Sequence, residues 1–142
     1  KKTIPIYGDG KNIRDWLFVE DHVDALILVL TKGIQGGFYC IGNKTEFRNI
    51  EIVKMICDLM DKERPGNESH HELINYVEDR PGHDYRYSID STLIKKELGW
   101  KANTDIQTGL KKTVNWYLNN INWLKKISKD SGYYGQRLGL IN

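Results

Sequence analysis

Two short segments combine charged and aromatic residues in a way that suits an anionic ligand. The first spans residues 13–22 and places Arg14 beside an Asp-Trp pair, at the start of an apolar run. A guanidinium offers paired donors in a fixed geometry and keeps its charge, so it is the preferred side chain for phosphate oxygens. A structural ion pair of Arg14 with Asp15 or Glu20 is the alternative, and the residues alone leave both open.

The second segment, residues 78–87, contains a turn. Pro81 fixes one backbone dihedral and Gly82 permits the next, so a tight turn would present Arg80 and His83 on one loop. Eight consecutive residues of this segment, 80–87, contain two arginines, a histidine and two tyrosines. Such a set suits an anionic ligand that carries a flat ring. An ordinary polar turn is the alternative.

A third candidate is Asn49, which precedes a run of apolar residues at helical spacing. We predict that Asn49 is the N-cap of this helix, a role whose loss costs about 1 kcal/mol. A helix N-terminus also attracts phosphate oxygens, so the structural role and a binding role are compatible.

The sequence lacks the motifs for dinucleotide binding, for a Walker-type phosphate loop and for a zinc site. Gly8-Asp9-Gly10 has two glycines of a dinucleotide-binding turn, but no helical pattern follows, and there is no Walker motif. The adjacent residues His70-His71-Glu72 do not have zinc-ligand spacing and indicate a solvated loop. We therefore predict no catalytic residue, no metal site and no cofactor site on this chain.

Composition narrows the class further. A chain of 142 residues with 39% hydrophobic residues forms one domain, and a net charge of +2 gives no nucleic-acid footprint. No apolar run is long enough to span a bilayer. Cys40 and Cys57 are too few for a disulfide framework and predict buried thiols in a reducing cytoplasm. Because the chain begins at Lys1 rather than at methionine, we expect a piece of a longer protein.

The elements that must position these residues alternate between strands and helices, which predicts an α/β fold. We predict short strands at residues 3–7, 16–19, 38–41 and 73–77. We predict helices at residues 21–32, capped by Asp21 and buried nearly all round, at 49–62, at 90–98 and through 110–124. Residues 128–142 are predicted to be irregular. Four such short strands make a poor sheet alone, so some should complete a sheet formed elsewhere.

With these segments in order, the sequence resembles the C-terminal half of dTDP-glucose 4,6-dehydratases, in the extended short-chain dehydrogenase/reductase superfamily. The resemblance covers about residues 3–125 and fades after Trp123. It rests on Pro5-Ile6-Tyr7-Gly8-x-Gly, Arg14-Asp15-Trp16-Leu17-Phe18-Val19-Glu20-Asp21-His22, Asp79-Arg80-Pro81-Gly82-His83-Asp84 and Glu97-Leu98-Gly99-Trp100.

The resemblance implies a role for each matching residue. Tyr7, within Pro5-Ile6-Tyr7, would lie against the nucleotide base or ribose. Arg14 and Arg80 would hold the diphosphate. Asn49 and the loop of Asp79, Arg80, Pro81, Gly82 and His83 would complete the nucleotide pocket.

The resemblance also implies what lies elsewhere. Residues 1–142 would be the sugar-nucleotide-binding portion of a Rossmann-type fold. NAD, the Tyr-x-x-x-Lys pair and the acid–base carboxylates would belong to the N-terminal half, and the intact enzyme would be a cytoplasmic homodimer. That enzyme oxidises C4 of the glucose, eliminates water across C5–C6 and returns the hydride to C6, so this chain alone should be inactive. Another nucleotide-sugar epimerase or dehydratase, or a stand-alone binding module, are the alternatives.

Overall fold

A computed structural model describes residues 2–132 of the chain and shows a mixed α/β fold, as predicted. The strands are β1 (Ile4–Tyr7), β2 (Ile13–Asp15), β3 (Glu46–Arg48) and β4 (Ile74–Val77). The helices are α1 (Val19–Lys32), α2 (Asn49–Glu63), α3 (Thr92–Leu98), α4 (Ile106–Asn119) and α5 (Ile121–Ser131), with one 3-10 turn at His70–Leu73.

The strands form two small sheets rather than one. β1 pairs with β4 in parallel, with Tyr7 opposite Val77, and β2 pairs with β3 in antiparallel, with Arg14 opposite Phe47. A single parallel bridge joins Ile13 to Arg86. Since the carboxyl ends of parallel strands lie at one edge, the segments that follow β1 and β4 leave the first sheet side by side.

The main core cluster lies between α1 and α3. Ala25 and Ile94 are fully buried there, and Trp100, just after α3, closes the cluster. The amphipathic spacing of α2 buries Ile52 and Cys57 in a second layer. Gly99 ends α3 in the left-handed conformation, as its position after Leu98 predicts.

The expectation that α1 is buried nearly all round is wrong. Its inner face packs on the core through Ala25, but an apolar stripe on its outer face is exposed, with Leu30 at 85% of its full accessibility. Nothing within residues 2–132 covers this side. No helix in that range combines the length and the apolar composition needed to cross a membrane. We call these exposed residues the α1 stripe: Val19, Val23, Leu26, Ile27 and Leu30.

The predicted capping role of Asp21 is also wrong. The helix begins two residues earlier, at Val19, with Phe18 at the N-cap position. The Asp21 carboxylate is buried and accepts hydrogen bonds from the backbone N–H groups of Asn103 (3.3 Å) and Thr104 (3.0 Å). It therefore fastens α1 to the segment that leads into α4.

Two predicted strands do not form. Residues 16–18 are not assigned as strand, although the Trp16 N–H donates to the Thr45 carbonyl (2.9 Å), and Val19 already belongs to α1. Residues 38–41 have strand-like composition but no pairing strand in the described part of the chain. A strand needs a neighbour for its backbone groups, so composition alone could not decide these two cases.

The last predicted helix is two helices. The Asn120 side-chain amide donates to the Trp116 carbonyl (2.8 Å), and this local bond competes with the helical pattern where α4 gives way to α5. α5 continues to Ser131, so the first residues of the predicted irregular tail are helical. The remainder of that tail, from residue 133, lies outside the described residues.

Candidate functional site

The loop that carries the second arginine segment lies along β2. The Ile13 N–H donates to the Tyr85 carbonyl (2.7 Å), and the Tyr87 N–H donates back to the Ile13 carbonyl (3.0 Å). The buried Asn12 adds its side-chain amide to the Asp84 carbonyl (3.3 Å). These bonds bring together two segments about seventy residues apart in sequence.

Arg14 is held by this loop on several sides. Its Nη1 donates to the carbonyls of Ile13 (2.7 Å) and Tyr85 (3.4 Å), and its Nη2 donates to the Asp84 carbonyl (2.9 Å). Its guanidinium carbon lies 4.5 Å from the centre of the Tyr87 ring, a cation–π distance. Arg14 is thus fixed before any ligand binds.

The alternative that Arg14 forms an ion pair with Asp15 is not what the structure shows. The Asp15 carboxylate accepts the backbone N–H groups of Lys44 (3.1 Å) and Thr45 (3.0 Å) instead. Among residues 2–132, the partner of Glu20 is Lys112, with 3.6 Å between Nζ and Oε2. The structural role of Arg14 is therefore to hold the loop through carbonyls, and no carboxylate from these residues neutralises its charge.

His83 connects Arg14 to Asp79. Its Nε2 lies 3.0 Å from Arg14 Nη2, and its Nδ1 lies 2.7 Å from Asp79 Oδ1. The hydrogen bond from His83 is the main cause that lowers the pKa of Asp79, and the backbone N–H of Arg80 acts in the same direction. The Tyr7 ring meets the His83 ring edge-on, with 6.2 Å between centroids. Tyr7, Arg14, Asp79 and His83, all predicted for one site, therefore do come together.

Tyr87 shows that the second arginine belongs to the same neighbourhood. Its hydroxyl donates to the Asp84 carboxylate, which raises the pKa of Tyr87, while the positive charges of Arg14 and Arg80 oppose that rise. Both arginines are therefore close enough to influence one phenol. We call Arg14, Asp79, His83, Asp84 and Tyr87 the loop cluster.

Unlike Arg14, Arg80 has a side chain that other described residues do not hold in place. Its backbone N–H donates to the Asp79 carboxylate (2.9 Å), but its side chain is exposed and makes no hydrogen bond within residues 2–132. The turn that follows is the predicted one, with Gly82 at a φ of 67° and no atom within 4 Å of where its Cβ would stand. Arg80 is thus the donor-rich side chain that remains available to a ligand.

The glycine turn after β1 serves packing. A Cβ on Gly8 would lie 2.9 Å from Asp79 Oδ2, and a Cβ on Gly10 would lie 2.8 Å from Ile6 Cγ2. Side chains of this chain already occupy the space beside both glycines, where a diphosphate would have to approach the backbone. The turn therefore does not fit a dinucleotide diphosphate. Pro5 is exposed on β1, whereas the Ile6 side chain is buried in the core.

The predicted N-cap role of Asn49 is corrected by one residue. Asn49 is the first residue of α2, and Arg48 holds the N-cap position, with its N–H donating to Glu51 Oε2 (2.7 Å). The Asn49 N–H donates to the Asn12 carbonyl (2.9 Å). The N-terminus of α2 is therefore tied to the segment that leads into β2, and the Asn49 side chain is half-buried there.

A carboxylate that the sequence did not reveal braces the far end of the loop. Glu46 accepts from Arg86 through two bonds of 2.7 Å each, and from the Ser88 hydroxyl at 2.7 Å. The bond from Arg86 is the main cause that lowers the pKa of Glu46 to about 2. The partners lie 40 residues or more apart, so no local pattern could have paired them.

The two adjacent histidines do not form a free polar loop. His70 Nδ1 lies 2.5 Å from Asp61 Oδ1, and His71 Nε2 lies 2.7 Å from Asp58 Oδ1, which fastens the 3-10 turn to α2. The Ser69 hydroxyl and then the His70 N–H lower the pKa of Asp61 to about 2. No group of three or more potential metal ligands occurs among residues 2–132.

A cleft of about 590 Å³ lies elsewhere on the molecule, and none of the ten predicted site residues lines it. Its walls are the segment before α1 and helices α4 and α5, with aromatic side chains at Trp16, Phe18, Trp116, Tyr117 and Trp123. The residues of the loop cluster, in contrast, do not line this cleft. The cleft and the charged residues of the loop cluster thus lie in different places, and it is the charged residues that suit an anionic ligand.

Comparison with known proteins identifies the family of this chain. A family model described as GDP-mannose 4,6 dehydratase matches residues 1–113. A curated dTDP-glucose 4,6-dehydratase of Escherichia coli is 49% identical over 144 residues, which cover 99% of this chain and 40% of that protein. The chain therefore spans about 40% of the length of the curated relative it matches.

Solved structures of similar proteins share the fold. The dTDP-glucose 4,6-dehydratase of Bacillus anthracis, in complex with NAD, has a TM-score of 0.75 and 42% identity over 88% of this chain and 37% of its own. That of Streptomyces venezuelae, with NAD and TYD bound, has a TM-score of 0.77 and 37% identity over 86% of this chain and 36% of its own.

These matches confirm the resemblance to dTDP-glucose 4,6-dehydratases and to the C-terminal part of the extended short-chain dehydrogenase/reductase fold. The likeness is expected to fade after Trp123; the match to the Escherichia coli protein covers 99% of the chain and so extends past this residue, whereas the family model ends at residue 113.

Proposed function

The chain belongs to the family described as GDP-mannose 4,6 dehydratase, and from this premise we propose that it forms the dTDP-sugar-binding part of a dTDP-glucose 4,6-dehydratase. The observation that carries the proposal is the convergence of Tyr7, Arg14, Asp79 and His83 around one loop. The parent enzyme would convert dTDP-glucose to dTDP-4-keto-6-deoxyglucose, a step of deoxysugar biosynthesis.

In this proposal the two arginines act differently. Arg80 is exposed and donates its guanidinium hydrogens directly to the diphosphate. Arg14 already donates to three carbonyls, so it contributes mainly a fixed positive charge and its remaining Nε–H. A pre-positioned charge needs no ordering when the ligand binds, which favours affinity.

The remaining predicted residues surround the nucleoside. Pro5 and Tyr7 lie against the base or ribose, with Ile6 supplying backbone only, because its side chain is buried. Asn49 lies at the N-terminus of α2, where the backbone N–H groups of Asn49 and Ile50 already donate to the carbonyls of Asn12 and Gly10, so Asn49 offers the nucleotide its side-chain amide. Pro81 and Gly82 shape the turn that carries Arg80 and His83.

We further propose that NAD and the catalytic side chains belong to a part of the enzyme outside residues 1–142, so this chain alone does not turn over substrate. That part covers the α1 stripe and supplies the strand neighbour that residues 38–41 lack. In this arrangement residues 1–142 are one substrate-binding portion of a homodimeric enzyme. The free thiols of Cys40, half-buried, and Cys57, buried, fit a cytoplasmic location.

Calorimetric titration of dTDP into the natural protein that carries this chain tests the proposal. Arg80→Ala removes a charge-assisted contact worth about 1.5–3 kcal/mol, so affinity should fall about 10-fold to 150-fold. Arg64→Ala is the matched control, because Arg64 is an exposed arginine at the end of α2. Equal affinities of the wild type and the Arg80 variant would refute the role of Arg80.

The family description favours a second candidate, a GDP-sugar dehydratase that uses the same loop. The diphosphate contacts would be common to both candidates, and only the base would differ. Titrating dTDP, UDP and GDP in parallel, followed by product analysis with the corresponding sugars, separates them. Preference for GDP would move the proposal to this second enzyme and leave the role of the arginines intact.

A further inference from the structure

His83 is the most enclosed side chain of the loop cluster, with 6% of its surface accessible. It faces Arg14 from β2 at Nε2, Asp79 from its own loop at Nδ1, and the ring of Tyr7 from β1 at its edge. Both ring nitrogens are therefore engaged by the protein. A residue whose polar atoms are all engaged in this way acts on a ligand through its neighbours.

The partners decide which nitrogen carries the proton. A guanidinium can only donate, so Nε2 must accept at 3.0 Å from Arg14 Nη2. A neutral imidazole that accepts at Nε2 carries its hydrogen at Nδ1, and this hydrogen then donates to Asp79 Oδ1 at 2.7 Å. The result is one directed chain of hydrogen bonds from Arg14 through His83 to Asp79.

We propose that His83 is a positioning residue: its neutral Nδ1–H form accepts from Arg14 and, together with the three backbone carbonyls, holds Arg14 in its binding conformation, and protonation of Nε2 removes this one bond. This inference rests on the proposed function, in which Arg14 presents its charge to a nucleoside diphosphate. Asp79 orients the ring by accepting at Nδ1, so it is part of the same device.

Charge explains why protonation would act on Arg14. An imidazolium places an N–H at Nε2 against the N–H of Arg14 Nη2, which replaces a hydrogen bond by two facing donors of like charge. Protonation of His83 therefore removes one of the bonds that hold Arg14, and acid should weaken binding of a diphosphate.

The tautomer can be observed directly in the natural protein that carries this chain. Imidazole nitrogen-15 shifts distinguish a protonated from an unprotonated ring nitrogen, and His83→Gln identifies the signals of His83 by their loss. At neutral pH we expect a protonated Nδ1 and an unprotonated Nε2. A protonated Nε2, in either the other tautomer or the imidazolium, overturns the inference.

Two substitutions test the effect on binding of dTDP. The longer side chain introduced by His83→Gln would reach the Nε2 position and accept from Arg14 without titrating, whereas that of His83→Asn would reach only Nδ1 and serve Asp79. We therefore expect the Asn variant to lose roughly tenfold more affinity than the Gln variant, the value of about one charge-assisted hydrogen bond. Equal losses in both variants overturn the inference.

The pH profile provides a readout that a purely structural role would not move. Acid that protonates Nε2 of His83 should lower the wild-type affinity for dTDP, because the ring then no longer accepts a hydrogen bond from Arg14, and this component should be absent in His83→Gln. His71→Gln, which changes a histidine bound to α2, is the control and should keep the wild-type profile. If dTDP does not bind at all, the proposed function fails, while the nitrogen shifts still decide the tautomer.

Discussion

The side chains of the loop cluster have their partners within this chain, whereas those of the α1 stripe are left exposed. In the loop cluster, Arg14 is matched by three carbonyls, an imidazole and a ring, all from this chain. On the α1 stripe, Leu26 is 50% and Leu30 is 85% exposed, and no described residue covers them. One region is complete within the chain, and the other is not.

The difference follows from the kind of interaction. A polar group left unpaired on burial costs about 1–3 kcal/mol, and its partners must have the right geometry. A ligand loop is therefore best built by one chain, which fixes every donor before the ligand arrives. Apolar area is worth about 25 cal/mol per Å² against any matching surface, so it can be completed by another part of a protein. We infer that the binding loop is intrinsic to this chain and that the stripe is an internal surface of a larger assembly.

The exposed α1 stripe should make the isolated 142-residue chain self-associate, and the largest expected effect is on this association. Leu26→Lys with Leu30→Lys places two charges on the stripe and should weaken association by about 2–4 kcal/mol, or about 30-fold to 700-fold. Full burial of a leucine contributes about 1.5–3 kcal/mol, and only the exposed fractions of 50% and 85% remain to be buried on association. Sedimentation velocity over a concentration series measures the change.

The control for this experiment adds the same charge elsewhere. Leu93→Lys with Ile127→Lys alters two residues that are each 44% exposed, on α3 and α5. The control should associate like the parent chain. If both double variants dissociate equally, general charge repulsion explains the result and the stripe has no special role.

The second prediction addresses the completeness of the loop cluster. Arg14→Ala should lower the free energy of unfolding by about 2–3 kcal/mol, because bonds to a charged group contribute about 1.5–3 kcal/mol and three carbonyls lose their donor. Arg80→Ala should change it by less than about 0.5 kcal/mol, since the Arg80 side chain is exposed. Urea unfolding at neutral pH gives both values.

Arg14→Lys refines this test. Lysine keeps the charge but lacks the planar fork that spans several carbonyls, so we expect a loss between those of the other two variants. A lysine variant as stable as the wild type would mean that charge alone holds the loop, and the hydrogen-bond account of the cluster would be wrong.

Local signals carried much of the fold. The strands predicted at residues 3–7 and 73–77 form at residues 4–7 and 74–77, and α2 and α3 form where apolar spacing and stop residues predict helices. Two of the errors occur where the outcome depends on distant partners. Residues 38–41 needed a neighbouring strand, and burial of α1 needed a surface that residues 2–132 do not contain.

The site follows the same division. Residue types in two segments indicated an anionic ligand, and the family resemblance supplied their roles. The partners of Arg14, however, are backbone carbonyls up to 71 residues away, and carbonyls leave no trace in residue type. The bonds from Arg86 to Glu46 could not be predicted for a related reason, because the two side chains meet only once β3 and the loop have folded together.

The smallest expected effect comes from the bonds to Glu46 and appears in the dependence of stability on pH. The pKa of Glu46 is lowered from 4.5 to about 2 by its bonds to Arg86 and Ser88. Because folding lowers the pKa of this carboxyl group, ionised Glu46 makes its full contribution to the free energy of unfolding above pH 4.5. This contribution is lost as the pH falls towards about 2. Glu46→Gln should therefore be less stable than the wild type at neutral pH, and the gap should close over this acid range. Urea midpoints at several pH values measure it, with the exposed Glu63→Gln as control. A gap independent of pH would show that packing of the Glu46 side chain, and not its charge, braces the loop that carries the arginines.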